Sequence, residues 1–239
     1  MADPVIYGPA FSTYVRSVRL ALEEKGAPYR LEEVNILEGA HQTPEHRARH
    51  PFAKVPAFEH DGFEIYETAA IMRYIDETFA GPSLQPDDAR ARARMTQVHG
   101  IMNSYAYPTC ISAIVIQRLV VPLMGGTPDE DVIAEAVPQA TTSVEALDAL
   151  IGSNAYLTGA TLSLADLHLA PVYDYFSQTP EGAAALQGTP KPAALVGRDE
   201  RARERAEDQA RAGVSPSIEL SGEFSEAAWQ RFAFAGFLG

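Results

Sequence analysis

Lys54-Val55-Pro56-Ala57-Phe58, followed eleven residues after Pro56 by Glu67-Thr68, is the stretch on which the fold reading turns. Proline has no N–H and disfavours helix for the residue before it, so a Val-Pro step in an otherwise apolar, extended run has few structural uses. A cis bond there would turn the chain sharply and leave the N–H and C=O of Val55 facing outward for a partner. Glu67-Thr68 opens an amphipathic helix, whose unpaired first N–H groups suit a carboxylate. The two elements together read as a clamp for a short peptide: a strand edge for its amides and an anion site for its terminal carboxylate.

Working outward, Val5-Ile6-Tyr7 is a short strand ended by Gly8-Pro9. Ser12 or Thr13 can cap a helix in which Val15, Val18 and Leu22 recur at helical spacing and Gly26 marks the end. Tyr29, Leu31, Val34 and Ile36 suggest a second strand, and residues 37–52 an irregular loop with one helical turn. Val55–Phe58 and Phe63–Tyr66 flank His60-Asp61-Gly62, a hairpin signal. Ile71, Ile75 and Phe79 then stripe a helix that stops before Gly81-Pro82.

A first domain over 1–80 is thus expected, then a linker at Gly81–Pro86. Beyond it strand signals vanish, and helices are expected over roughly 87–121, 128–152 and 163–178 in a helical domain spanning 86–190. Thr127-Pro128-Asp129-Glu130 reads as a capping box with proline at the first helical position, and Ser163-Leu164-Ala165-Asp166 as a second box. Pro138 should kink the middle helix. After Pro190 the sequence turns Arg/Glu/Ala-rich, then Ser/Gly-rich, then aromatic, and residues 191–239 are expected to form an atypical, weakly ordered tail.

The 239 residues carry a net charge of −13, with 46% hydrophobic and 21% charged residues. Such an acid excess repels nucleic acid and anionic membrane surfaces. Cys110 is the only cysteine, which excludes an intrachain disulfide and a cysteine metal cage. Met1-Ala2-Asp3-Pro4 opens without a basic and then apolar leader, so a cytoplasmic compartment is expected. The apolar run from Ile111 to Met124 is interrupted by Gln117, Arg118 and Pro122, and reads as a core helix instead of a membrane span.

The order strand–helix–strand–loop–Val-Pro–strand–strand–Glu-Thr helix resembles the glutathione S-transferases over roughly residues 3–188. The resemblance implies an α/β thioredoxin-like domain followed by an all-α helical domain, a tripeptide co-substrate and no metal. It also implies a cytoplasmic homodimer that acts in detoxification. The segment Gly8-Pro9-Ala10-Phe11-Ser12-Thr13-Tyr14-Val15-Arg16 is similar to the serine-type, plant phi-like and bacterial branch, whose active serine corresponds to Ser12. A hydroxyl at a helix start can donate to an anion that the helix dipole also favours, although an N-cap is the commonest role for serine there. Tyr7 is the runner-up, because tyrosine-type members place their phenol at the end of this strand; Thr13 and Tyr14 come behind it.

For the tripeptide, the resemblance assigns Val55 ahead of Pro56 to the cysteinyl amides, and Glu67 and Thr68 to the γ-glutamyl end. Lys54 and His41 fall to the glycyl carboxylate. His50 stands where an asparagine is usual before Pro-Phe. Phe11, Tyr14, Tyr105 and Tyr107 are the candidate lining of an electrophile site, each equally readable as ordinary aromatic packing.

His46 and His50 have a metal-pair spacing but no third ligand nearby in sequence, so a solvated loop face is the better reading. Gly125-Gly126 reads as a turn and Cys110 as inert core. Conjugation of glutathione to small hydrophobic electrophiles is the expected activity. A glutathione-dependent isomerase or dehalogenase of the same fold, or a non-catalytic binding protein, is the alternative.

Overall fold

The computed structural model describes residues 2–187. The expected tail at 191–239, and the last three residues of the expected helical domain, lie outside that range. Strands β1 (Val5–Tyr7), β2 (Arg30–Glu32), β3 (Ala57–His60) and β4 (Phe63–Tyr66) form one sheet in the order β2-β1-β3-β4. β1 runs parallel to β2 and antiparallel to β3, and β3 antiparallel to β4. Helices α1 (Thr13–Glu24) and α3 (Thr68–Thr78) pack on each other and cover it. Ile6 and Phe58 from the sheet meet Val15, Val18, Leu22, Ile71, Met72 and Ile75 in a core of fully buried side chains.

The second strand is shorter than its apolar residues suggest. β2 ends at Glu32, while Val34 and Ile36 are buried as loop residues. The loop after it holds a 3-10 turn at Ala40–Gln42 and the short helix α2 (Pro44–Arg49).

The rest is helical: α4 (Ala89–Ile101) continues through Met102–Val120 into α5 (Val121–Leu123), followed by α6 (Glu130–Ile151), α7 (Leu164–Ser177) and α8 (Pro180–Leu186). The fold class is therefore a thioredoxin-like α/β unit joined to a helical one. Met102–Val120 winds as the wider, i→i+5 type of helix around Pro108, which has no N–H to offer. By length and composition Ala89–Leu123 could cross a bilayer. In this fold its Met102, Ala106, Cys110, Ile114 and Val115 are buried against α6 and α7.

Helix starts depart from the reading in one place. α6 is capped by Asp129, whose carboxylate accepts from the N–H groups of Asp131 (3.0 Å) and Val132 (3.2 Å), so Thr127 is not its cap. A carboxylate accepts two such donors where a hydroxyl accepts one, which moves the start two residues on. At α7 the expected Ser163–Asp166 pairing is present. Asp166 accepts from the Ser163 N–H (2.9 Å), the Ser163 hydroxyl (2.6 Å) and the Leu157 N–H (2.8 Å). Burial raises the Asp166 carboxyl above its usual value, against these three bonds, which lower it.

Two buried ion pairs hold α1, one to the helical unit and one to α3 beside the linker. Arg16 of α1 meets Asp174 of α7 at 2.6 Å. At the end of α1, the Lys25 ammonium donates to the Asp76 carboxylate (3.0 Å), the Asp76 carbonyl (3.1 Å) and the Pro82 carbonyl (2.9 Å). Gly81 beside it has φ +119, and a Cβ there would sit 2.8 Å from the Lys25 carbonyl oxygen, so the linker turn requires glycine.

Asp166→Ala should leave the Ser163 and Leu157 donors buried without an acceptor, lowering the unfolding free energy by about 3 kcal/mol. Urea denaturation followed by circular dichroism measures it. Ser163→Ala, which removes one of the three donors, should cost about 1 kcal/mol.

Candidate functional site

β3 begins at Ala57 because Pro56 cannot extend the ladder. The Val55–Pro56 peptide is cis. Just ahead of the strand, the Val55 N–H and C=O make no hydrogen bond among the described residues. The segment leading to Val55 is tied back by His46, whose Nε2 lies 2.8 Å from the Lys54 carbonyl oxygen and therefore carries the proton it donates. Gly8 presses on the same place from β1's end: a Cβ there would lie 2.5 Å from Val15 Cγ2 and 3.2 Å from Val55 Cβ.

Two residues beside this edge hold left-handed backbone without being glycine, Ala53 (φ 51) and Glu67 (φ 75). Glu67 is the N-cap of α3, and that φ swings the chain directly from β4 into the helix. Thr68 is buried at the first helical position, and the amides of the first turn face no intrahelical acceptor.

Ser12 is the N-cap of α1, yet its hydroxyl makes no capping hydrogen bond. Its backbone does the local work, with Ser12 N–H donating to the Pro9 carbonyl (3.1 Å) and Arg16 N–H to the Ser12 carbonyl (2.9 Å). The loop is pinned from α1 and α7: Arg19 donates to the Ala10 carbonyl (3.4 Å) and the Tyr175 hydroxyl to the Phe11 carbonyl (3.1 Å). The Ser12 Oγ–H is thus held at a helix N-terminus without a partner among the described residues.

These elements surround one cavity of about 520 Å³. Ser12, His41, Lys54, Val55, Pro56, Glu67 and Thr68 line it from the sheet side. Tyr14 from α1, with Asn103, Tyr107, Pro108 and Ser112 of the wide helix, line it opposite. The four helix residues recur at intervals of four and five, the repeat of the wider winding, which brings them to one face.

Tyr7 lies elsewhere: its hydroxyl donates to Glu59 at 2.9 Å and the Arg49 guanidinium sits 4.4 Å from its ring centroid. Burial, then Glu59, raises its pKa. Phe11 and Tyr105 are also set outside the cavity wall, exposed by 44% and 51%. Tyr105 falls between the cavity-facing positions 103 and 107 of the helix, and the pinned Phe11 carbonyl leaves its ring outward.

Aromatic packing shapes the far side. Tyr14 and Tyr107 are stacked at 4.4 Å, and the Tyr14 hydroxyl donates to Asn103 Oδ1 at 2.9 Å. Burial pushes the Tyr107 phenol up to about 12. Behind Tyr14, at 5.3 Å between rings, lies His168, whose Nδ1 is 2.8 Å from Nδ1 of His99. Nε2 of His168 is buried and unbonded. A bare lone pair there costs less than a stranded N–H, so His168 donates from Nδ1 and His99 accepts.

Three cavity-wall features had little sequence signal. His50 is buried, tilted on Tyr66 at 4.8 Å, with Nδ1 unbonded, as is Nδ1 of His41. Burial, with His46 and Lys54 adding to it, lowers His50 to about 4, and burial first also lowers His41 and Lys54. Ile36 and Asn103 are the others; a single amide inside an apolar run, four residues before Tyr107, was the one hint for Asn103.

Residues 6–83 match the family described as glutathione S-transferase, N-terminal domain, and residues 108–198 the glutathione S-transferase, C-terminal domain. A probable glutathione S-transferase GSTF1 of Oryza sativa subsp. japonica is 34% identical over 184 residues, which cover 75% of this chain and 84% of the relative. Glutathione S-transferase F13 of Arabidopsis thaliana is 31% identical over 176 residues, 73% and 80% of the two chains. Among solved structures, glutathione S-transferase I from maize in complex with an atrazine glutathione conjugate is 27% identical with a TM-score of 0.72. The match covers 90% of this chain and 100% of that one.

His50 and His99 lie near 4, and His168 well below its usual value, so the unfolded chain, at about 6.5, takes up protons first. Their contribution to stability is complete above pH ~6.5 and is lost as pH falls towards 4, before most carboxylates titrate. The urea midpoint should therefore drop between pH 7 and pH 5, with His99 alone accounting for up to about 2 kcal/mol. His99→Gln should flatten that slope.

Proposed function

The chain belongs to the glutathione S-transferase family, and we propose that it joins the glutathione thiolate to small hydrophobic electrophiles using Ser12 as the thiol-activating residue. The observation that carries this reading is the Ser12 hydroxyl: it occupies an N-cap position without capping and opens on the same cavity as the Val55 edge and Glu67-Thr68.

A cysteine thiol has a pKa near ~8.5 and reacts as its thiolate. Lowering it by ~2 units requires ~2.7 kcal/mol of preferential stabilisation of the anion. One neutral O–H donor together with the first-turn N–H groups of α1 is of that order. The thiol proton leaves to solvent. The sulfur lone pair forms the new carbon–sulfur bond, and the leaving group departs with its electron pair. No covalent enzyme intermediate is required.

The tripeptide's cysteinyl residue would pair in strand-like fashion with the open main chain of Val55, next to Pro56. Its α-carboxylate would rest on Thr68 and the first amides of α3, and its ammonium on the Glu67 carboxylate, which holds no other hydrogen-bond partner among the described residues. His41 and Lys54 would take the glycyl carboxylate; burial lowers the Lys54 ammonium, and an anion beside it would offset that shift. Tyr14 and Tyr107 would face the electrophile. Tyr7, already engaged by Glu59, is left a structural role.

A homodimer in the cytoplasm, acting in detoxification, completes the reading. Phe52 and Leu123, each 67% exposed, supply apolar surface for the second subunit on the sheet side and the helical side.

Ser12→Ala should lower kcat with 1-chloro-2,4-dinitrobenzene by about 100-fold while glutathione affinity changes by less than threefold. It should also move the acidic limb of the pH–rate curve upward by about 1–2 units, each unit worth about 1.4 kcal/mol. Tyr7→Phe should stay within about threefold of wild type. A large rate loss in Tyr7→Phe alone, with Ser12→Ala active, would reassign the role.

A further inference from the structure

Asn103 lines the cavity from the helix opposite Ser12. Its amide oxygen accepts the Tyr14 hydroxyl at 2.9 Å. That phenol remains protonated, since burial, then Tyr107 and Glu67, raise it well above its usual value. The Tyr14 hydrogen has no other acceptor among the described residues, so the reversed amide orientation would lose this bond. The amide is thereby fixed with Nδ2 away from Tyr14. Both Nδ2 hydrogens lack a partner among the described residues.

A neutral donor pair held in this way, on the wall facing the thiol-activating hydroxyl, suits a charge that develops during reaction more than one already present. Nothing else on that wall is charged: its other members are Tyr14, Tyr107, Pro108 and Ser112. Asn103 also sits at the start of the wide winding, where its position is set by a helix and not by a loop.

We infer that Asn103 Nδ2 is an electrophile-polarising donor that selects α,β-unsaturated carbonyl compounds, by hydrogen-bonding the carbonyl oxygen as sulfur attacks. This rests on the glutathione-conjugating reading and names its substrate class. The thiolate lone pair forms the carbon–sulfur bond at the β-carbon. The alkene π pair becomes the enolate double bond, and the carbonyl π pair moves to oxygen, where Asn103 meets it. A solvent proton then restores the carbonyl at the α-carbon, so no group is lost and no further reactant is consumed.

The test compares kcat/KM for 4-phenylbut-3-en-2-one, which builds an enolate, with that for benzyl chloride, which has no oxygen to polarise. The readout is the ratio of the two in the full chain and its variants. Asn103→Ala should lower the ratio by about 10- to 100-fold. Asn103→Asp, nearly identical in shape but repelling an enolate, should lower it at least as far. Tyr14→Phe, which frees the amide to rotate, should lower it by a few-fold.

Retention on immobilised glutathione and an unchanged circular dichroism spectrum show that each variant is folded. An unchanged ratio in both Asn103 variants overturns the inference. Wild-type turnover of benzyl chloride without any of the enone overturns it as well, leaving the conjugation reading intact. Turnover of neither overturns that reading itself.

Discussion

A proline cannot donate to a β ladder, and the site follows from where that refusal falls. β3 pairs with β1 only from Ala57 onward, so the chain just before it carries its N–H and C=O past the sheet with no partner. Buried main-chain groups left unpaired are costly, which makes this edge stable only beside a cavity that water or a peptide can fill. His46 at Lys54 and Gly8 at Val55 hold the edge from two sides. The cavity's remaining elements converge on that line: the start of α1, the start of α3 and one face of the wide helix.

Two of these three come from the sheet unit and one from the helical unit, so the cavity keeps its shape only if the units stay registered. Charged groups with no water around them supply that register. Arg16 and Asp174 join α1 to α7 across the two units, while Lys25 ties α1 to Asp76 of α3 and to the linker carbonyl of Pro82, fixing where the linker leaves the sheet unit. Removing one partner of such a pair strands the other in the interior, which is far more damaging than replacing both. Apolar packing supplies the adhesion between α1, α3 and α7, and these pairs define the one geometry in which it is satisfied.

Much of this was legible in the residues. The Val-Pro step, the Glu-Thr helix start and the hairpin at Asp61-Gly62 are local signals with local causes, and each has its element, although β3 runs over Ala57–His60, two residues later than the Val55–Phe58 reading, because Pro56 cannot join the ladder and His60 pairs with Phe63. Ser163 and Asp166 likewise pair as their spacing suggests. Where the reading failed, the deciding physics was not local. β2 stops at Glu32 because no partner strand continues beside it, although Val34 and Ile36 are as apolar as strand residues. Asp129 outcompetes Thr127 at α6 because a carboxylate can accept two amides. The aromatic lining followed the helix winding around Pro108, so Tyr107 faces the cavity and Tyr105 does not. His50 and Asn103 joined the cavity wall only once distant segments met.

Ala53 and Glu67 keep left-handed backbone angles on residues that carry a Cβ, at a cost of order 1–3 kcal/mol apiece. A glycine at either place would remove the steric penalty but would also widen the range of shapes open to the loop before any guest arrives. With side chains there, the rim has fewer shapes open to it, and little freedom remains to be surrendered on association. Local strain in the resting chain is thus converted into readiness, and the shape of the pocket's rim is set in advance of any encounter.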